Sequence, residues 1–200
     1  MANIIALLSG YHIVQAVLLG GALAFLTATV IMKAALRAAT TTVNGWRITL
    51  KCGRPGNGIL LRAACARYLP AVNAAQEAAY WTTTVDAAGR PLNGRYDYVL
   101  RFPAGRLPPN GAFWSLTVTD VAGFMTDNPI GRYGVGSLTG LAPNAAGSVE
   151  IHIRNKAPSG PAVNWLPAPA GKFKLTLRAY LPGAAVLDGG YRVPPVVKAE

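Results

Sequence analysis

Between Phe173 and Leu181 hydrophobic and polar residues change places at every step. Phe173, Leu175, Leu177, Ala179 and Leu181 fall on one side of an extended chain, and Lys172, Lys174, Thr176, Arg178 and Tyr180 on the other. Successive side chains of a strand point to opposite faces, so this stretch predicts a strand with one face in a core and one in water. The alternation recurs at Trp46, Ile48 and Leu50, at Trp81, Thr83 and Val85, and at Tyr96, Tyr98, Leu100 and Phe102. It returns at Trp114, Leu116 and Val118 and at Val149, Ile151 and Ile153, with a last short strand expected near Val186. Asp86-Ala87-Ala88-Gly89, Pro108-Pro109-Asn110-Gly111 and a Gly-rich connection from Gly131 to Gly140 around Tyr133 separate these runs as turns. Residues 59–69 have helical composition and end at Pro70, and Ala-rich residues 71–79 predict a further helical turn or two. The Pro-rich turns around Trp165 predict a plug for the open end of the core. The whole reads as mainly β: an antiparallel sandwich, jelly-roll-like, with one short helix.

The front of the chain follows another pattern. From Ala2 to Met32 there is no Asp, Glu, Lys or Arg, which is more than the ~20 apolar residues that cross a bilayer. The best span runs from Ile13 to Met32. The first residues carry no positive charge and the run exceeds an ordinary signal h-region, so a retained single transmembrane helix is expected rather than a cleaved signal. Gly20, Gly21, Ala24 and Ala28 offer small surfaces for packing on another membrane helix. His12 and Gln15, near the amino end, suit headgroup depth or a polar contact with a second membrane subunit. The organisation expected is an anchor over residues 1–37, a polar connector over 38–44 and a β-domain over 45–200.

Composition sharpens this in two places. Charged residues make up 14%, and Gly 22 and Pro 15 suit a turn-rich β-domain. The net charge is +11, but no basic run exceeds two residues, so nucleic acid is not an expected partner. Lys33, Arg37, Arg47, Lys51, Arg54, Arg62 and Arg67 precede any acid. By the positive-inside rule that flank would stay in the cytoplasm, although basic residues beside a membrane also serve anionic headgroups.

The stretches GAFWSLTVTDVAGF, NPIGRYGVGS, GSVEIHI, NWLPAPAGKFKLTLRAYLP and the closing Gly-Tyr-Arg-Val-Pro-Pro are similar in order and spacing to the domain-of-unknown-function 1214 family. The resemblance covers roughly residues 105–195. Residues 45–102 resemble the short membrane-anchored bacterial members. The family usually has Asp-Gly-Ser before the GSVEIHI strand, where this chain has Ala146-Gly147-Ser148. The resemblance implies a β-sandwich in the cell envelope and little about activity. Since large domains translocate despite their charges, the domain is expected outside the cytoplasmic membrane.

Chemistry is sparse. His152 sits among Glu150 and Arg154 on a polar strand face, and a Ser/His/Asp triad would need it beside Ser115 or Ser137. Gly136-Ser137-Leu138-Thr139-Gly140 lacks nucleophile-elbow spacing. No His/Cys cluster has metal-ligand spacing, so no metal or cofactor is expected. Asp120 and Asp127 flank a turn, the commoner role of Asp. Cys52 and Cys65 suit either a disulfide, which would mark an oxidising compartment, or two buried thiols. Trp114, Tyr133 and Trp165 would be core aromatics or the lining of a saccharide- or lipid-binding cleft. Arg132, Asn164 and Arg178 are the polar groups placed near such a cleft. Two functions fit: an envelope accessory, scaffold or binding subunit touching lipid and other integral membrane proteins, or an envelope hydrolase or carbohydrate-active enzyme.

Overall fold

An uninterrupted apolar run without Pro makes the first element, helix α1, Ala2–Ala39, of 38 residues, about 57 Å at 1.5 Å per residue. The structure, a computed structural model, describes residues 2–70, 72–158 and 163–199. α1 is long and apolar enough to cross a membrane, as an anchor or an export signal would. Its side chains from Gly10 to Ala28 are all exposed. Beyond them Thr29, Met32, Ala35, Leu36 and Ala39 are half-buried at helical spacing. This face packs on helix α2, Ile59–Tyr68. The fully exposed stretch therefore ends at Ala28, short of the Met32 limit expected from composition.

Residues 38–44 do not form a connector. α1 runs to Ala39, and after Thr40 strand β1 (Thr41–Val43) pairs antiparallel with β2 (Trp46–Ile48). Asn44 and Gly45, at φ 54° and 81°, form the two-residue turn whose twist suits a hairpin. The Thr40 hydroxyl donates to the Leu36 carbonyl at 2.7 Å and pairs with the Thr49 hydroxyl at 2.8 Å. Helix and sheet are thus joined without slack.

The remaining strands are β3 (Ala78–Thr83), β4 (Tyr98–Phe102), β5 (Trp114–Asp120), β6 (Gly134–Gly136), β7 (Val149–Arg154), β8 (Trp165–Pro167), β9 (Phe173–Tyr180) and β10 (Val196–Lys198). They form two sheets, six-stranded β1-β2-β3-β9-β5-β6 and four-stranded β10-β4-β7-β8, in a sandwich-like arrangement. β9 lies between β3 and β5, where Leu177 faces Trp81 on one side and Leu116 on the other. Phe173, Leu175 and Leu177 are fully buried against Leu100, Phe102, Ile151 and Ile153 of the other sheet. Each such side chain contributes about 1.5–3 kcal/mol by burial. The polar face of β7 is tied to its neighbours by the ion pairs Arg101–Glu150 at 2.9 Å and Arg154–Asp97 at 2.6 Å.

Four local expectations are corrected. Residues 71–79 do not extend the helix (Ala71 lies outside the described residues). A single turn closes from Ala74 to Ala78, and Ala78 and Ala79 then enter β3 because their small side chains fit against Tyr180 and Ala179. Helix α3, Ala184–Leu187, replaces the strand expected near Val186, which plugs the core as 1%-exposed apolar anchor of that one turn. The Gly131–Gly140 connection contains the edge strand β6. There a Cβ on Gly136 would fall 2.1 Å from the Trp114 carbonyl, so only glycine permits the pairing. Trp165 is no end plug: it opens β8, which pairs parallel with β7, the one departure from antiparallel order among the described strands. Its indole N–H donates to the Arg154 carbonyl at 2.9 Å.

Candidate functional site

The acid-free basic stretch and the apolar end of α1 meet in space. The last turns of α1, the β1–β2 hairpin, β3 and the C-terminal end of α2 enclose a cavity of about 620 Å³. Leu36, Ile48, Leu50, Leu69 and Val72 give it apolar walls, and Lys33, Arg37 and Arg47 stand exposed at its rim. None of these three cations makes an ion pair among the described residues. The Tyr68 hydroxyl is buried in the wall with no hydrogen-bond partner among the described residues. Tyr80, on β3, donates its hydroxyl to Asn73, and burial, with Tyr180 close by, pushes its pKa above the ordinary phenol value.

A disulfide between Cys52 and Cys65, with Cα atoms 5.7 Å apart, holds α2 against the loop after β2. It fits an oxidising compartment. On its outer side Arg54, Arg62 and the Gly53–Asn57 loop surround a second hollow of about 860 Å³. The arrangement at the first cavity combines apolar lining with unpaired cations at the mouth, which suits an anionic amphiphile.

The residues picked from sequence as a cleft do not converge. Trp114 is a core residue 3% exposed, with its ring 5.5 Å from that of Phe102. Trp165 is buried on β8, and Arg132 donates from Nη1 to the Trp165 carbonyl at 2.9 Å and to the Val163 carbonyl at 3.3 Å. Arg132 thus ties the β5–β6 connection to the four-stranded sheet. Asn164 exchanges two hydrogen bonds with the Ala142 backbone, at 2.9 and 2.8 Å, as a strand residue would. The Tyr133 hydroxyl donates to Asp127 at 3.4 Å. Arg178 lies on the other sheet and donates to the Thr117 hydroxyl at 2.7 Å. Neither cavity is lined by any of these six.

Catalytic candidates are equally dispersed. Ser115 is on β5 and His152 on β7, in different sheets. Ser137 accepts a hydrogen bond from the Trp114 amide. Asp120 accepts from the amides of Gly123 and Phe124 at 2.8 and 2.9 Å, the turn-forming role. No group of three or more His, Cys, Asp and Glu able to hold a metal occurs among the described residues. Gly20, Gly21, Ala24 and Ala28 remain exposed on α1, and a Cβ on either glycine would meet nothing within 4 Å. His12 and Gln15 are exposed on the same helix. Sequence reasoning noted the cations but missed the cavity, whose walls are distant in the chain; the signal was the absence of any acid before Glu77.

Fold and site define a two-sheet β-domain carried on one long apolar helix. The chain belongs to the family described as "Protein of unknown function (DUF1214)", whose model matches residues 77–184. α1, the hairpin and the disulfide lie before the matched region. A solved structure, the VPA0106 protein of Vibrio parahaemolyticus, is similar with 26% identity and a TM-score of 0.64 over 72% of this chain. This chain spans 36% of that protein's length. An uncharacterized protein from Burkholderia cenocepacia aligns over 89% of this chain and 42% of its own at 15% identity, with a TM-score of 0.41. No curated protein matches.

Proposed function

We propose that this chain is a single-pass protein of the cytoplasmic membrane whose β-domain lies on the outer side and works as a non-catalytic binding or scaffold subunit. One observation carries the reading: the half-buried face from Thr29 to Ala39 builds α1 into the domain, while Gly10–Ala28 stays exposed, touched only by Arg67 at Phe25 among the described residues. A helix of that kind holds its domain at a fixed distance and angle from a bilayer. The bare stretch is left for lipid and for other integral membrane proteins, with Gly20, Gly21, Ala24 and Ala28 as small contact residues. The Cys52–Cys65 disulfide supports the outer side, since cytosolic disulfides are rare. A hydrolase reading would need titratable groups converging on a pocket, and the serines and histidine considered for it lie on separate elements.

The test is made on full-length protein in host membranes. The chain is expected in the membrane fraction after alkaline carbonate washing, with its domain cleaved by protease added to spheroplasts. Cys52 and Cys65 should appear as one linked peptide under non-reducing mass analysis. Gly20→Leu/Gly21→Leu should shrink the complex obtained in mild detergent without changing the fold of the domain. A domain protected from protease with free thiols, or a particle size unchanged by the double substitution, overturns the reading.

A further inference from the structure

We propose that the cavity between α1, the β1–β2 hairpin and α2 binds an anionic phospholipid drawn from the leaflet on which the domain sits. The inference rests on the reading of α1 as a membrane anchor and adds a ligand to it.

Depth is the first argument. If the bare apolar stretch ends at Ala28, Lys33 stands five residues further on, about 7–8 Å above the hydrocarbon at 1.5 Å per residue. Each headgroup layer is roughly 5–8 Å thick, so the Lys33 ammonium lies at phosphate level, with Arg37 one turn above it. Arg67 on α2 reaches lower than these two, with its guanidinium 5.7 Å from the centre of the Phe25 ring on α1, so α2 also comes down to the membrane interface. A long basic side chain whose stem follows an apolar surface keeps its charge at the interface.

Charge and shape make the second argument. Lys33, Arg37 and Arg47 converge on one mouth from two elements, unpaired among the described residues, with no acid earlier than Glu77. Behind them the walls turn apolar at Leu36, Ile48 and Val72. A small soluble anion would use the cations and leave those walls idle. A phospholipid uses both: its phosphate meets the cations, and the first acyl carbons follow Leu36 and Ile48. The volume, about 620 Å³, falls within the ~300–1,000 Å³ of ordinary small-molecule sites.

The experiment is native mass spectrometry of the full chain in a non-ionic detergent, titrated with phosphatidylglycerol or phosphatidylcholine. The expected result is one tightly retained phosphatidylglycerol and no comparable retention of phosphatidylcholine. Lys33→Gln/Arg37→Gln/Arg47→Gln should weaken retention by about a hundredfold, at roughly fivefold per charge near a membrane surface. Val72→Trp, which keeps every charge but fills the cavity, should abolish it. Lys172→Gln/Arg95→Gln, basic residues away from the cavity, should leave it intact. All variants are checked for an unchanged melting temperature, and the three substituted cations are exposed and unpaired, so folding is expected to survive. Equal retention of the two lipids, full retention by the triple variant, or displacement of phosphatidylglycerol by millimolar inorganic phosphate overturns the proposal. Each of these leaves the anchor reading standing. A chain that stays soluble without detergent would instead sink the anchor reading.

Discussion

The guanidinium of Arg67 lies 5.7 Å from the centre of the Phe25 ring, which links α2 to a residue of α1 that is otherwise exposed. α2 is held at its other side by the Cys52–Cys65 disulfide, so it bridges the apolar helix and the sheet. Removing the covalent hold should loosen that bridge. In the chain-entropy model, a loop of this size is worth about 3 kcal/mol. Cys52→Ala/Cys65→Ala, or reduction of the wild type, should therefore lower the melting temperature of the detergent-solubilised chain. Hydrogen exchange should speed up first in α2. Identical melting curves with and without reductant would show that the contacts of α2 suffice alone.

Leu177 is fully buried at the centre of the six-stranded sheet, while Lys174 on the same strand is half-exposed. An unpaired carboxylate at Leu177 would cost several kcal/mol, against a total stability of about 5–15 kcal/mol. Leu177→Asp is expected to yield no folded domain by near-ultraviolet circular dichroism. Lys174→Asp should change stability by no more than about 0.5 kcal/mol. Comparable losses from both would contradict the burial of the strand.

The strand pattern was readable because every second residue of β9, β4 and β7 is apolar and actually faces the other sheet. Where periodicity fails, tertiary context decided the outcome. Ala78 and Ala79 have helical composition, yet they pair with Tyr180 and Ala179 because a flat strand position needs small side chains there. Val186 has strand composition but forms a single turn that carries it into the core. The six residues read as a cleft were chosen by type, and type does not say which side of which sheet a residue occupies. Arg132, in the β5–β6 connection, donates to the four-stranded sheet, while Arg178 stands on β9 of the six-stranded one. The cavity was illegible for a related reason. Lys33, Ile48, Tyr68 and Tyr80 are separated by loops whose course is fixed only by the hairpin, the disulfide and β3.

Asp86, 3% exposed, closes the turn before β4. Burial alone would raise its pKa, but this is outweighed by the Arg90 amide, the Arg90 side chain and the Ala88 amide, all donating to its carboxylate at 2.9–3.0 Å. The net shift is downward. A carboxylate whose folded pKa lies below its unfolded value adds stability in full above the unfolded pKa. That stability is lost as the pH falls through the folded value. The domain should therefore lose stability on acidification below the ordinary carboxylate range, about pH 4. Asp86→Asn should cost about 1–3 kcal/mol at neutral pH and flatten the acid limb of a denaturation series. An acid limb as steep in the variant as in the wild type would assign the effect to other groups.

Two truncations separate the part of α1 that serves a bilayer from the part that serves the fold. Residues 10–28 are exposed, linked to the domain by the Arg67–Phe25 contact, whereas Thr29, Met32, Ala35, Leu36 and Ala39 are half-buried against it. Removing residues 1–28 should give a monomer soluble without detergent, with the β-domain folded and α2 still protected from exchange. Removing residues 1–39 strips the same face from α2 and one wall from the cavity. It also takes away Leu36, whose carbonyl accepts from Thr40. Each half-buried Met or Leu lost forfeits part of the 1.5–3 kcal/mol that full burial is worth. The longer truncation should therefore melt lower by several kcal/mol and tend to aggregate through the exposed apolar residues of α2. Both forms are compared by urea unfolding followed by tryptophan fluorescence, since Trp46, Trp81, Trp114 and Trp165 are all buried. Equal midpoints would mean that the last turns of α1 contribute nothing to the fold, and that its contact with α2 is incidental.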